Sequence, residues 1–318
     1  MLKLAKQSLL NGWLAFRKRA LLVVSLNHGK LIKRIKEISE TGSGKLYSKI
    51  EDNLVMISSF RAANETRQKI LQTAVPLTLK NLSGSDLDIR VIDSSSGDFA
   101  EKNKSLFESF NLKKLRYEIK SASLPRAYEE LLGTADKKFF CSFFDDQPII
   151  GMNMEFLKAS VQLLEDFAGL VDVVVFNYAN DLHIENTKKV LYYNLESLDF
   201  KQRGIKPLGV VKYGNYSFAI VPNYLYGFFF NNIIGRTETY LEKLSWYRKR
   251  ISENGTHKIE LFGMWKLGPS FEYIAVPLEV FMLDAGYEQA AGGTPRDPLA
   301  VNKKIFEALK NGYELIPV

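Results

Sequence analysis

Residues 53–150 alternate between short apolar runs and longer stretches with helical spacing. Because each strand-like run is followed by a helix-like stretch, consecutive strands need crossover connections, which place parallel strands in one sheet. We therefore predict an α/β fold with a mixed, mostly parallel, Rossmann-like sheet and helices on both faces. The predicted strands are Leu54–Phe60, Asp88–Ile92, Leu115–Ile119 and Phe139–Phe144, and the predicted helices are Glu65–Leu79, Ala100–Phe110 and Pro125–Leu132.

The second half of the chain, residues 151–318, has a less regular pattern and no internal repeat. We expect a polar helix at Thr237–Glu253, ending before Gly255, because the helical spacing stops there. The other predicted helices are Asn153–Phe167 and Ala300–Lys310, and the predicted strand or hairpin segments are Val171–Tyr178, Lys188–Tyr193, Gly209–Val221, Ile259–Phe262 and Phe271–Val276.

The composition excludes several classes of protein. Of the 318 residues, 46% are apolar and 12% aromatic, which suffices to fill a core and excludes a disordered chain. The single cysteine, Cys141, excludes a disulfide framework and a cysteine-rich zinc site and is typical of a reducing compartment. No apolar run approaches the ~20 residues of a membrane span. We therefore expect a cytoplasmic protein.

The net charge of +7 is concentrated in residues 1–40, and the rest of the chain is neutral. A neutral body argues against nucleic acid as a partner. Apolar residues such as Leu9, Trp13 and Phe16 recur at helical spacing, which predicts a basic amphipathic extension and linker over residues 1–44, before a domain at 45–318. We favour an anionic membrane surface as the partner of this extension, peripheral at the inner face. A helix packed on its own domain or on a second subunit, and a targeting segment, are the alternatives.

Carboxylates stand where two of the predicted strands end. Asp93 closes the second strand, and Asp145 and Asp146 close the fourth. Ligands of open parallel sheets bind at the carboxyl ends of the strands. A carboxylate accepts hydrogen bonds from a base or ribose, and an acidic pair suits a Mg²⁺ or Mn²⁺ ion that neutralises a diphosphate. We expect a nucleotide-diphosphate site, although ordinary turns have the same residues.

The motifs in this order resemble the nucleotide-sugar-binding half of GT-A glycosyltransferases. They are VMISSF, VIDSSSGD, PRAYEELLGTAD and FFCSFFDDQ. The resemblance is closest to the large inverting, family 2-like group that builds polysaccharides and glycolipids, and it covers residues 53–150 well and the rest loosely. It implies a nucleotide-sugar-binding half at 53–150 and an acceptor-binding half at 151–318.

The resemblance also implies roles for individual residues. Asp93 matches the residue that contacts the nucleobase, and Asp145 matches the first residue of the D-x-D-type motif that binds diphosphate and metal. Gln147 stands at the second Asp of that motif, so the implied ligands of Mn²⁺ or Mg²⁺ are Asp145, Asp146 and Gln147. The other implied donor-binding residues are Ser59, Phe60, Arg61 and Arg126, with Lys120 and Lys266 as further diphosphate partners.

The family's catalytic base is an acidic residue well beyond this motif, at the start of a helix that ends at a glycine. The predicted helix before Gly255 matches, so the resemblance implies Glu242 as the base, with Glu238 as second choice. The base deprotonates an acceptor hydroxyl as it attacks the anomeric carbon. A glutamate on a polar helix is also typical of a solvated face.

The expected function is therefore an inverting glycosyltransferase of surface polysaccharide biosynthesis. Its substrates are a nucleotide-diphosphate sugar and a hydroxyl of a glycan or lipid-linked acceptor. One alternative is a sugar nucleotidyltransferase, although its glycine-rich, arginine-containing first loop is missing after Phe60. Another is a non-catalytic peripheral membrane or assembly protein with a degenerate transferase fold.

Overall fold

The computed structural model describes residues 27–41, 46–178, 182–202, 204–223, 232–251, 258–259, 268–283 and 303–317. The helices are α1 (27–41), α2 (Ile50–Asn53), α3 (Glu65–Leu79), α4 (Asp98–Glu108), α5 (Leu124–Gly133), α6 (Met154–Asp166), α7 (Asp199–Gln202), α8 (Thr237–Arg248) and α9 (Lys303–Lys310), with 3₁₀ turns at Lys80–Leu82 and Leu195–Ser197. The predicted features at 1–26, 42–45, Gly255 and 260–262 lie outside the described residues.

The strands of the first half are β1 (Leu54–Phe60), β2 (Asp88–Asp93), β3 (Lys114–Ile119), β4 (Phe139–Ser142) and β5 (Ile149–Ile150). Those of the second half are β6 (Val173–Val175), β7 (Asn177–Tyr178), β8 (Leu182–Glu185), β9 (Val190–Tyr193), β10 (Gly209–Tyr213), β11 (Tyr216–Pro222), β12 (Ile233–Arg236), β13 (Tyr273–Pro277), β14 (Phe281–Met282) and β15 (Glu314–Pro317).

A single large sheet organises the fold. Its described strands run in the order β10-β11-β13-β6-β12-β4-β1-β2-β3. The strands β1 to β4 are mutually parallel where they pair, and β12 is antiparallel to both β4 and β6. This mixed sheet confirms the predicted α/β fold class.

Helices cover both faces of the sheet because the strands are apolar on both sides. In β1, Leu54 and Met56 face one core with α3, α4 and α6. Val55 and Ile57 face a second core with α5 and α8. All seven residues of β1 are buried, as expected for a central parallel strand.

Helix α1 packs on the body. Leu31, Ile35 and Ile38 are buried in the core that contains β1 and α6. The Nε of Arg34 donates to the carbonyl oxygen of Asp166 at 2.9 Å. For α1 this agrees with the alternative of a helix packed on its own domain, because its apolar face is covered there. The membrane partner and the boundary at residue 44 stay predictions.

The two predicted halves share the sheet. Strand β12 lies beside β4, with Ile234 opposite Cys141 and Gly235 opposite Phe140. A Cβ on Gly235 would stand 2.9 Å from the Phe140 ring, so only glycine allows this approach. The strand predicted at Val171–Tyr178 is divided into β6 and β7, which lie in different sheets. Among the described residues, no helix is long and apolar enough to cross a membrane.

Candidate ligand-binding crevice

The sheet register brings the two acidic strand ends to one level. Asp93 lies opposite Phe60 in β1, and Ser142 of β4 lies opposite Ile57, so Asp145 follows at the same distance along the strands. One strand separates β2 from β4, and the two positions are thus about 10 Å apart. The chain continues from β1 to β2 on one side while β4 returns on the other, which is the kind of reversal where open sheets bind ligands.

A tight turn at the end of β4 carries the acidic pair. Phe144 and Gln147 form an antiparallel bridge around Asp145 and Asp146. Buried Asn232, just before β12, holds this turn from the side: its Oδ1 accepts from the amide of Phe144 at 2.7 Å, and its Nδ2 donates to the carbonyl oxygen of Gln147 at 2.7 Å. The Oε1 of Gln147 is buried with no partner among the described residues.

Arg67 binds both acids of the turn. Its Nε and Nη2 donate to the two oxygens of Asp145, at 2.9 and 2.6 Å, and its Nη1 donates to Asp146 Oδ2 at 2.8 Å. The exposed fractions of the side chains are 15% for Arg67, 1% for Asp145 and 19% for Asp146. Two carboxylates and one guanidinium therefore form a nearly buried cluster, which we call the Arg67 cluster.

The cluster is electrostatically unbalanced. Burial raises the pKa of Asp145 to about 7, the Arg67 charge opposes that rise, and the charge of Asp146 adds to it. Burial alone disfavours the charged form of Arg67, but the attraction of Asp145 and Asp146 outweighs it and raises the pKa of Arg67. Because a single positive charge is shared by two carboxylates that repel each other, the binding of a proton to one of the carboxylates is favoured.

Sequence reasoning did not identify Arg67, although its position contains a signal. Asn64 caps α3, accepting from the backbone amide of Arg67 at 2.9 Å, so Arg67 is fixed in the first helical turn. A cation is disfavoured at a helix N-terminus by the macrodipole and there needs an anionic partner. The partner is 78 positions away, which no local pattern reveals.

Asp93 is buried and fully engaged by the protein. Its Oδ1 accepts from the amide of Ser95 at 2.7 Å, and its Oδ2 accepts from Asn103 at 3.0 Å and from the Tyr117 hydroxyl at 2.6 Å. Burial and the hydrogen bond to Asp93 raise the pKa of Tyr117. In this arrangement Asp93 fixes the loop between β2 and α4, and its predicted contact with a nucleobase stays a prediction.

Of the remaining predicted donor-binding residues, some are buried in the core and others are exposed at the carboxyl edge of the sheet. Ser59 and Phe60 are buried, and the Phe60 ring stacks on Phe107. Arg61 and Arg126 are exposed at the carboxyl edge, after β1 and in the first turn of α5. Lys120 pairs with Glu118 and Glu130, and Lys266 lies outside the described residues.

A groove opens beside the Arg67 cluster at the same edge of the sheet. It has a volume of about 620 Å³ and lies between the N-terminal parts of α3 and α4. Gln68 and Lys69 line it from α3, and Phe99 and Lys102 line it from α4. Because α3 carries both Gln68 and Arg67, the groove and the cluster lie on adjoining sides of one helix.

The predicted catalytic bases lie at the opposite edge. Because β12 is antiparallel to β4, α8 begins beside the start of β4, and the amide of Thr237 donates to the carbonyl oxygen of Lys138 at 3.0 Å. Lys138 precedes β4 and Asp145 follows it, so the two residues lie at opposite ends of that strand. Glu238 and Glu242 instead line a separate cavity of about 830 Å³. The structure thus places both glutamates away from the acidic pair, and their role as catalytic bases stays a prediction.

The acidic turn does not fit the divalent cation that the resemblance implies. Both oxygens of Asp145 and one of Asp146 already accept hydrogen bonds from Arg67. A cation ligated by both acids has to displace the guanidinium from both. In the described part of the chain, no group of three or more His, Cys, Asp and Glu side chains is arranged to hold a metal ion.

Comparisons with known proteins give distant structural likenesses. No family model and no curated protein matches the chain. A 4-diphosphocytidyl-2C-methyl-D-erythritolsynthase from Anaerococcus prevotii is 11% identical with a TM-score of 0.40, over 80% of this chain and 99% of that one. TarS 1–349 from S. aureus is 14% identical with a TM-score of 0.40, and its complex with UDP is 15% identical with 0.41. Both TarS matches cover 81% of this chain and 66% of TarS 1–349. The fold assignment rests on the chain's own strand order and register.

Proposed function

We propose that the chain is a glycosyltransferase that moves a sugar from a nucleotide-diphosphate donor to a hydroxyl of a glycan or glycolipid, in surface polysaccharide biosynthesis. The Arg67 cluster at the carboxyl ends of β1 and β4 carries this proposal. Burying two acids and one arginine costs free energy of desolvation, and groups with perturbed pKa values are concentrated at functional sites. This cluster lies at the reversal point of an open sheet, where such sheets bind ligands.

Two exposed arginines at the same edge supply charge for the diphosphate. Arg61 follows β1 directly, and Arg126 lies in the first turn of α5, which begins beyond the carboxyl end of β3. The loop before α5 is tied to the end of β2, since Ser94 Oγ donates to the carbonyl oxygen of Lys120 at 3.0 Å. Guanidinium groups bind phosphate oxygens in a bidentate manner, which makes both residues suitable diphosphate partners.

One observation favours the non-catalytic alternative. The Arg67 cluster is internally paired, and the predicted bases Glu238 and Glu242 are remote from it. A protein that has lost catalysis but kept a transferase fold is expected to have such features. The nucleotidyltransferase alternative is distinguished by its substrates, a nucleoside triphosphate and a sugar phosphate.

The test is calorimetry with a panel of nucleoside diphosphates, followed by turnover of the corresponding nucleotide sugars. We expect binding that is weakened about tenfold or more in Arg61→Gln and Arg126→Gln, because each loses a charge-assisted contact. Arg116→Gln is the matched control, an exposed arginine within β3. Absence of binding to any nucleotide would favour the non-catalytic protein. Formation of a nucleotide sugar from triphosphate and sugar phosphate would favour the nucleotidyltransferase.

The proposed site of action is the cytoplasmic face of a membrane. Residues 1–26 contain five basic residues and no acidic residue. Basic residues near an anionic bilayer contribute about 1 kcal/mol each. Replacing Arg17, Lys18 and Arg19 by Gln should release the chain from anionic vesicles in a flotation assay. Equal flotation of both chains would remove this part of the proposal.

A further inference from the structure

We propose that Arg67 takes the place of the divalent cation in this chain, so that the crevice binds its phosphorylated ligand without a metal. The exclusion of the cation follows from the Arg67 cluster alone, whereas the binding of a phosphorylated ligand rests on the proposed function. The two parts therefore need separate measurements.

The geometry of the cluster excludes a cation shared by the two acids. The three hydrogen bonds from Arg67 measure 2.6, 2.8 and 2.9 Å and use Nη2, Nη1 and Nε of the guanidinium. Mg²⁺ and Mn²⁺ bind through oxygen ligands, and the oxygens that an acidic pair offers them are those of its carboxylates. The oxygens of Asp145 are buried under Arg67, and only 1% of that side chain is exposed. A cation therefore has no open route to both acids while Arg67 is in place.

Arg67 is held in this position from both ends. Its backbone amide donates to the Oδ1 of Asn64, which caps α3. Its side chain meets a turn that Asn232 fixes through the amide of Phe144. A guanidinium remains charged at all physiological pH values, so the acids keep a permanent counter-charge. The cation that a D-x-D-type motif recruits from solution is thus supplied here by the chain itself.

The phosphates of a ligand then have to be neutralised by other groups. Two acids and one arginine leave the cluster without surplus positive charge. The cluster by itself therefore gives a diphosphate no electrostatic attraction. The exposed Arg61 and Arg126 at the same edge provide the charge that a metal would otherwise supply. Under this inference, affinity for a nucleoside diphosphate depends on those two arginines and not on Mn²⁺.

The cation part is tested with Mn²⁺ alone, counting free Mn²⁺ by electron paramagnetic resonance with the full chain. We expect no measurable Mn²⁺ site in the unaltered protein and a new site in Arg67→Gln, whose Kd lies roughly a hundredfold or more below the highest Mn²⁺ concentration at which the unaltered protein shows no binding, because a nearby positive charge is removed. Adding Asp146→Asn to that variant should abolish the new site. Arg116→Gln is the control and should remain without a site. Circular dichroism establishes that each variant is folded.

A Mn²⁺ site in the unaltered chain that Asp146→Asn removes would overturn the proposal. So would a folded Arg67→Gln variant that gains no Mn²⁺ site. If Arg67→Gln does not fold, the proposal is tested on the unaltered chain, by calorimetry of nucleoside diphosphates in EDTA and in MnCl₂. Affinities equal within about twofold support the proposal, and a gain of about tenfold or more with Mn²⁺ overturns it. A chain that binds no nucleotide refutes the proposed function, while the Mn²⁺ count still decides the role of Arg67.

Discussion

Asn232 accepts a hydrogen bond from the backbone amide of Phe144 at 2.7 Å, across 88 positions of sequence. This bond ties the start of β12 to the turn that carries Asp145 and Asp146. The Nδ2 of Asn232 donates to the carbonyl oxygen of Gln147 at 2.7 Å, so this one side chain fixes both sides of the turn. The placement of the Arg67 cluster therefore depends on a strand from the second half of the chain.

Replacing Asn232 by Ala should lower the free energy of unfolding by about 1–3 kcal/mol, because it removes a buried side chain and leaves the partly buried amide of Phe144 without that acceptor. Urea denaturation measures the change. Asn215→Ala is the matched control, since that side chain makes an exposed contact to Glu155 and should change stability by less than about 0.5 kcal/mol. Equal effects of the two substitutions would contradict a role for Asn232 in holding the turn.

Helix α1 offers a second pair of substitutions. Ile35 is 6% exposed and packs on the body, whereas Ile32 in the same helix is 39% exposed. We expect Ile35→Ala to cost about 2–5 kcal/mol of unfolding free energy and Ile32→Ala less than about 0.5 kcal/mol. Thermal and urea denaturation give both values. A helix that serves only to meet a membrane would show little loss in either variant.

The pH dependence of stability should report on Asp145. Its pKa is raised from an ordinary 3.8 to about 7, chiefly by burial, so the folded chain retains a proton that the unfolded chain has lost. The free energy of unfolding should therefore fall as the pH rises from about 4 to about 7 and level off above. Asp145→Asn should flatten this slope, and the exposed Asp86→Asn should preserve it. An unchanged slope in Asp145→Asn would assign the titration to another group.

The edge at which α8 begins predicts the behaviour of two glutamates. Glu238→Gln and Glu242→Gln should leave transfer from the nucleotide-sugar donor within about twofold of the unaltered chain, because both line a cavity beside Lys138 at the amino end of β4, whereas the acidic turn follows its carboxyl end. Loss of a catalytic base costs about 10²–10⁴ in rate. Steady-state kinetics at saturating donor distinguish these results. A drop in rate in that range would identify the replaced glutamate as the catalytic base.

Local patterns predicted much of the first half. The bounds of β1 and α3 agree with the prediction, because buried strands and helices differ in the spacing of their apolar residues. The position of Asp93 and Asp145 at one edge of the sheet could also be predicted, because each follows the carboxyl end of a predicted parallel strand. The cluster partner Arg67 did not, since its contacts join residues 78 and 79 positions apart.

In the second half of the chain, the sequence does not indicate the direction in which a strand runs. The helix beginning at Thr237 was predicted correctly, but its edge depends on whether β12 runs parallel or antiparallel to β4. A short apolar run such as Ile233–Arg236 is compatible with both directions. The edge at which Glu242 lies could therefore not be predicted, although the helix that carries it could.

The position of β12 beside β4 has a consequence for synthesis of the chain. Cys141 and its pairing partner Ile234 are 93 positions apart, so β4 emerges from the ribosome long before its neighbour exists. During that interval Phe139 and Phe140 stand on an unpaired strand edge, the kind of surface that recruits chaperones or aggregates. Chains truncated after residue 150 keep that edge permanently open and should accumulate as insoluble protein.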